Sequence, residues 1–139
     1  MRYQYFILFA FFFLAYQTRA ESPQRKCLRE LEGTQVNCIT YCTYNHYGFT
    51  NKNYKITKKH IEKFRDILIE YKAIPLSDNS KITNHIKACA KKAKSKVSNT
   101  TEEKCEKLVE YYKCVVDGKT LSWNLYAKVI DKYDKTFNV

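Results

Sequence analysis

VNCITYCTYNH, residues 36–46, places Cys38 and Cys42 four residues apart, with His46 a further four along. In a helix, side chains at this spacing have Cβ atoms about 5–6 Å apart, whereas a disulfide needs about 3.8 Å. If the segment is helical, the two cysteines cannot bond to each other, and each must reach another part of the chain. KCEKLVEYYKC, residues 104–114, repeats the problem with Cys105 and Cys114. Nine residues of helix separate these two sulfurs by about 13.5 Å along the axis and put them on opposite faces. With Cys27 and Cys89 the cysteines number six, an even count in a short chain. Such a count predicts three disulfides if the chain is exported. Excluding the two local pairs leaves several connectivities open, each of which staples separate helices together. Cys38, Cys42 and His46 also share one helical face, as zinc ligands do. Metal thiolates belong mainly to reducing compartments and oxidation already accounts for the cysteines, so no metal or cofactor is expected and His46 reads as an ordinary exposed or capping residue.

Export is predicted by the N-terminus. Met1 and Arg2 give a positive start, Tyr5 to Ala15 (YFILFAFFFLA) is unbroken apolar sequence, and Thr18 and Ala20 supply the small residues a signal peptidase reads. A membrane span needs about 20 apolar residues, and this run is shorter. Residues 1–20 are therefore read as a signal peptide and 21–139 as one mature, soluble, secreted domain without membrane insertion.

The chain has 25 basic and 14 acidic residues, a formal charge of +11, which falls to +9 once Arg2 and Arg19 leave with the signal peptide. From Thr101 onward lysines and acids balance, so the whole excess lies in residues 21–100. Gly33 to Ile61 has no acid and carries Lys52, Lys55, Lys58 and Lys59, with Lys63 just beyond. Asn79 to Thr101 has no acid and carries Lys81, Lys87, Lys91, Lys92, Lys94 and Lys96. Solubility accounts for any single lysine, but a surface built only for solubility interleaves its signs. Two acid-free basic spans are the footprint of an acidic partner. Lys128, Lys132 and Lys135 share a face too, but Asp131 and Asp134 are interleaved with them, and solubility explains that set.

The periodicity predicts an all-α fold. Thr57 to Ala73 puts Ile61, Phe64, Leu68 and Tyr71 on one stripe, with Thr57 as N-cap and Pro75 beyond the end. Ile82, Ile86, Cys89, Ala90, Ala93 and Val97 form the next apolar face. Lys87, Lys91 and Lys94 lie within about 60° of one another on its opposite side, and Lys92 and Lys96 flank the stripe. Thr100 and Glu103 make a capping box for a helix carrying Cys105, Leu108, Val109 and Tyr112. Asp117-Gly118 turns the chain into a last helix from about Ser122, with Leu125, Tyr126, Val129, Ile130 and Tyr133 as its buried side. Asn99-Thr100-Thr101 is an N-glycosylation sequon in the loop after the lysine helix.

The cysteine spacing, C-x3-C at Cys38 and Cys42, a long gap to Cys89, then C-x8-C at Cys105 and Cys114, resembles that of insect odorant-binding proteins, a six-helix disulfide fold. CITYCTYNHYGFTNKNYKITKKHI, KCEKLVEYYKC and the ending YDKTFNV resemble the small odorant-binding-protein-like salivary proteins of phlebotomine sand flies. The resemblance spans the mature chain. It implies the pairing Cys27–Cys42, Cys38–Cys105 and Cys89–Cys114. Only ten residues separate Cys27 from Cys38, so the expected fold is a compact disulfide-stapled helical domain with a shortened N-terminal helix. The resemblance further implies a secreted salivary protein that binds polyanionic surfaces and heparin-like polymers, and so blocks contact activation of coagulation and surface-promoted complement activation.

Counterion release makes several lysines on a polyanion a sequence-independent, salt-dependent attraction. The expected contacts are Lys87, Lys91, Lys92, Lys94 and Lys96, with Lys52, Lys55, Lys58, Lys59 and Lys63 as a second set. The expected partners are heparin-like glycosaminoglycans, dextran sulfate and polyphosphate, bound by a monomer, with contact-pathway factors affected indirectly and nucleic acid bound only as another polyanion. The alternative is a carrier of a small hydrophobic or amine ligand in a pocket among Phe49, Tyr54, Phe64, Leu68, Tyr112 and Trp123. No catalysis is expected. His46, His60 and His85 have no nucleophile at a recognisable spacing, and no Gly-rich phosphate loop or paired-carboxylate motif occurs.

Overall fold

The computed structural model describes residues 20–139, so the expected signal peptide lies, Ala20 apart, outside the described residues. Among the described residues there are six α-helices and no strand: α1 (Pro23–Leu31), α2 (Ile39–Tyr47), α3 (Lys58–Glu70), α4 (Asn79–Lys94), α5 (Thr101–Val115) and α6 (Trp123–Asp134). Short 3-10 turns at Val36–Cys38 and Leu76–Asp78 lead into α2 and α4.

Local chemistry sets the helix ends. Ser22 caps α1, its hydroxyl accepting from the Arg25 amide, and Pro23 fills a first-turn position where no N–H is needed. The expected box at α5 forms: Thr100 Oγ1 accepts from the Glu103 amide at 3.1 Å, and Glu103 Oε2 accepts from the Thr100 and Asn99 amides. Those two backbone donors, Thr100 first, hold the Glu103 carboxyl below its ordinary pKa. α2 stops at Gly48 (φ 75°), where the Phe49 amide returns to the Tyr44 carbonyl at 2.9 Å. α3 stops in the same manner at Lys72 (φ 63°), with the Ala73 amide on the Leu68 carbonyl, and so ends at Glu70 rather than at Ala73.

The disulfides are Cys27–Cys42, Cys38–Cys105 and Cys89–Cys114, the pairs that the resemblance implies. They tie α1 to α2, the start of α2 to α5, and α4 to α5. Between them lies one hydrophobic cluster centred on rings from several helices. Phe49 stacks on Phe64 with centroids 4.1 Å apart, and Tyr44 meets Phe49, Phe64 and Tyr111 edge to face. Tyr44 and Tyr126 share a hydroxyl–hydroxyl bond of 2.9 Å within the cluster. Burial drives both phenols well above their ordinary pKa.

Two expected core positions are corrected. Val97 is 86% exposed, because α4 ends at Lys94 and the Ser95 hydroxyl turns back onto the Lys92 carbonyl at 2.7 Å. Leu125 is 41% exposed, since it sits in the first turn of α6, where its amide serves the Ser122 cap. In α5, Tyr111 and Val115 are buried while Val109 and Tyr112 are partly exposed, so the stripe is rotated by about one residue from expectation.

Asp134, only 5% exposed, accepts from both the Gln24 amide (2.9 Å) and the Tyr47 hydroxyl (2.7 Å) through Oδ1. One carboxylate thereby joins the start of α1, the end of α2 and the end of α6, and the α1 N-terminus favours its charge. Burial, then the bond to Asp134, pushes the Tyr47 phenol far above its ordinary pKa. Asp134→Ala should lower unfolding free energy by about 2–3 kcal/mol, measured by denaturant with the disulfides intact, because two bonds to a charged acceptor are lost. Tyr47→Phe should cost less, since the Gln24 bond remains.

The α3 cap is pH-sensitive. His60 Nδ1 accepts the Thr57 amide at 3.0 Å, a bond that needs the neutral ring. Burial, then the charge of Lys59, lowers the His60 pKa. A lowered folded-state value means that stability is full above the ordinary imidazole pKa of about 6.5 and is lost as pH falls below it. His60→Gln keeps a capping acceptor and should remove that part of the loss, read as the difference in urea midpoint between about pH 7.5 and about pH 5.

Candidate functional site

The lysine stretch KACAKKAKSK occupies the second half of α4 and the turn after it. Ile82, Ile86, Cys89, Ala90 and Ala93 are buried, while Lys87, Lys91, Lys92, Lys94 and Lys96 are all exposed. The Cys89–Cys114 bond fixes the inner face to α5, so the lysines stand on a helix held rigidly from behind. Lys96 leaves the set in part, because its ammonium pairs with Glu110.

In the second set, Lys52, Lys55, Lys58 and Lys59 are exposed. Lys58 pairs with Glu62 one helical turn on, at 3.7 Å. Lys63 is held differently: its ammonium lies 5.6 Å from the Tyr133 ring centroid. Among the described residues no carboxylate lies within ion-pair reach of Lys52, Lys55, Lys59, Lys87, Lys91, Lys92 or Lys94.

Topology brings the two sets together. α3 packs on α4 across the short link 71–78, and α4 packs on α5 across 95–100. The pairs Cys89–Cys114, Lys96–Glu110 and Lys107–Ser98 trace an antiparallel register between α4 and α5, so the end of α4 lies beside the start of α5. The loop before α3 reaches the same start of α5, where Tyr54 meets Lys104. Lys94 and Lys96, Lys104 and Lys107, and the 52–55 loop therefore border one region. Lys104 and Lys107 were hidden in the sequence because they belong to a segment balanced in charge. Glu102, Glu103 and Glu106 stand in the same first turns of α5, yet Glu103 is taken up by the helix cap, and among the described residues no carboxylate forms an ion pair with Lys104 or Lys107.

The loop before α3 is tied to the same region. Tyr54 has a left-handed backbone (φ 59°) and stacks on Tyr41 of α2, with centroids 3.9 Å apart and planes 21° from parallel. The Lys104 ammonium lies 5.9 Å from the Tyr54 ring centroid, and the Tyr41 hydroxyl donates to the Lys52 carbonyl at 3.2 Å. Asn51 Oδ1 accepts the Asn53 and Lys55 amides, which closes the loop on itself.

The residues expected to line a carrier pocket do not form one. Phe49, Phe64 and Leu68 are fully buried in the core, and Tyr54 is half-buried at its margin, stacked on Tyr41. Tyr112 and Trp123 instead line a surface cleft of about 410 Å3 between α1, α2 and α6, walled also by Leu28, Tyr44, Tyr126 and Ile130. Trp123 is 61% exposed and donates through Nε1 to the Tyr112 hydroxyl at 3.0 Å. The zinc-like face is dissolved by the disulfides, since Cys38 and Cys42 belong to different bonds. His46 is partly buried beside the Cys27–Cys42 bond rather than freely exposed. His85 Nε2 sits 3.0 Å from the Val115 carbonyl and 3.8 Å from Asp117, closing α4 on the end of α5.

Six helices and these disulfide pairs define a disulfide-stapled all-α domain, and residues 18–117 match the PBP/GOBP family, to which the chain belongs. More narrowly, it is a relative of sand fly salivary proteins. It is 40% identical over 117 residues to ayaconin of Lutzomyia ayacuchensis, covering 84% of this chain and 80% of that protein. It is 30% and 32% identical to salivary proteins 15a and 15b of Phlebotomus duboscqi, each along the whole of both chains. No helix among the described residues is long and apolar enough to cross a membrane.

Proposed function

We propose that this is a secreted salivary protein that binds polyanionic polymers and surfaces and, by occupying them, inhibits contact-pathway coagulation and surface-promoted complement activation. The observation that carries the reading is that two exposed, acid-free lysine segments both border the start of α5, the 50–55 loop through Tyr54 and Lys104 and the end of α4 through Ser98 and Lys107. Lysine suits a polymer of irregular sulfate or phosphate spacing, since each ammonium is a mobile point charge on a flexible stem. Binding releases condensed counterions, and the ion pairs of Lys58 and Lys96 are exchangeable for polymer because exposed pairs of this kind are worth little. No bond is made or broken in this mechanism.

A second reading, carriage of a small hydrophobic or amine ligand, is favoured by the aromatic cleft beside Trp123. The two readings separate cleanly because Trp123 is the chain's single tryptophan. A ligand in the cleft should shift or quench its fluorescence, whereas heparin bound at the lysines should leave it nearly unchanged.

The site itself is tested by charge reversal. Lys87, Lys91 and Lys94 replaced together with Glu should abolish retention on immobilised heparin and the anticoagulant effect, with helix content and disulfides intact. The same change at Lys128, Lys132 and Lys135 should do much less. Three true contacts should flatten log affinity against log salt by roughly two units. Equal losses from both triples would reduce the effect to net charge.

A further inference from the structure

Tyr54 holds a conformation that favours glycine or asparagine, although two asparagines stand just before it in Asn51-Lys52-Asn53-Tyr54. A bulky residue persists in that region only when its surroundings fix it, and such strain marks places where a side chain is held for a purpose. Here the fixing is visible. The Tyr54 amide bonds to the Asn51 carbonyl at 2.9 Å, Asn51 Oδ1 holds the amides on both sides of Tyr54, and the ring lies flat on Tyr41. The outcome is a stiff knuckle in which Lys52 and Lys55, before and after Tyr54 in the chain, are exposed. Lys104 reaches this knuckle from α5. Glu102, Glu103 and Glu106 surround it in sequence, yet Glu103 is committed to the cap and the Lys104 ammonium rests over Tyr54. Cation–π contact holds the ammonium while leaving its outward N–H groups available.

We infer that Tyr41, Tyr54 and Lys104 form a preorganised clamp that, together with Lys52 and Lys55, binds sulfate or phosphate groups of a linear polyanion and joins the two lysine segments into one track. This rests on the polyanion reading and deepens it. Tyr41 and Tyr54 are positioning residues, and Lys104 is a direct contact. Ordering a flexible lysine normally costs affinity, and a lysine already held on a ring has lost part of that freedom before the polymer arrives.

The test compares wild type, Lys104→Gln, Tyr54→Gly and the control Lys128→Gln by binding to heparin and to polyphosphate across a salt series, with thermal unfolding in parallel. Lys104→Gln should weaken binding several-fold and flatten the salt slope by about 0.7–0.9, the share of one contact. Tyr54→Gly accepts the left-handed backbone without strain, so the fold should be retained while affinity falls two- to five-fold. A purely structural tyrosine would not separate those two readouts. Loss on both polymers is expected from shared anion chemistry, and loss on one alone identifies sulfate or phosphate as the group held. If Lys104→Gln binds like wild type while reversal of Lys87, Lys91 and Lys94 abolishes binding, the clamp is wrong and the polyanion reading stands. If wild type fails to bind either polymer, both fall together.

Discussion

The Cys38–Cys105 bond is the constraint on which the rest of the arrangement depends. The other two disulfides each join helices that are neighbours in the chain order, α1 with α2 and α4 with α5, across separations of 15 and 25 residues. Cys38–Cys105 spans 67 residues and connects those two stapled pairs to each other. Chain-entropy arguments assign it about 4.4 kcal/mol, against about 3 and about 3.5 for the shorter loops, values that do not simply add. Its placement matters as much as its strength. Tyr41 lies one turn after Cys38, and Lys104 is the residue before Cys105, so the bond sets α2 beside the start of α5 where Tyr54 is caught between them.

That covalent framework permits a charge distribution that a small uncrosslinked domain would tolerate poorly. Lysines of the 50–55 loop, the end of α4 and the start of α5 in one region raise self-repulsion in the compact state. Carboxylates relieve it only in part: Glu110 meets Lys96 at the surface, and Glu103, in the first turn of α5, is taken up by the helix cap. The opposing term comes from the disulfides and from the aromatic cluster. Burying each Phe or Leu contributes about 1.5–3 kcal/mol before entropy is counted. Asp134 supports the arrangement at the far side, since it docks α1 and α2 on α6 through two bonds.

The parts of this structure legible in the sequence are those governed by local periodicity and local chemistry. The i, i+4 cysteines, the Thr100–Glu103 box and the Ile82, Ile86, Cys89, Ala93 stripe all depend on residues within a turn or two of one another. The exposed side of α4 follows from the same stripe. What the sequence concealed depends on contacts between distant segments. Lys104 lay in a charge-balanced stretch, and only the meeting of α5 with the 50–55 loop gives it different company. Tyr54 read as one aromatic among many because nothing in NKNYK marks which residue takes the left-handed turn. Phe49 and Phe64, pocket walls only in the carrier alternative, are stacked core, in keeping with the place of Phe64 on the apolar stripe of its helix; aromatic spacing alone does not say whether two rings enclose space or fill it.

That last distinction bears on how the fold is used. A carrier must keep its interior partly open, and the lost packing contacts then weaken the fold until ligand restores them. In this chain Tyr44, Phe49, Phe64, Tyr111 and Tyr126 occupy the middle of the helices, and hydroxyls of Tyr44 and Tyr126 are satisfied against each other. These rings fill the middle of the core with one another. The aromatic cleft at Trp123 opens on the α1–α2–α6 side and is walled in part by Tyr44, Tyr47, Tyr126 and Ile130 of this cluster, whereas the lysines stand on the α3–α4–α5 layer. Core and cleft thus share rings while the exposed lysines stand apart from both, and substitution in the lysine layer can change surface charge without disturbing the ring cluster that holds the helices together.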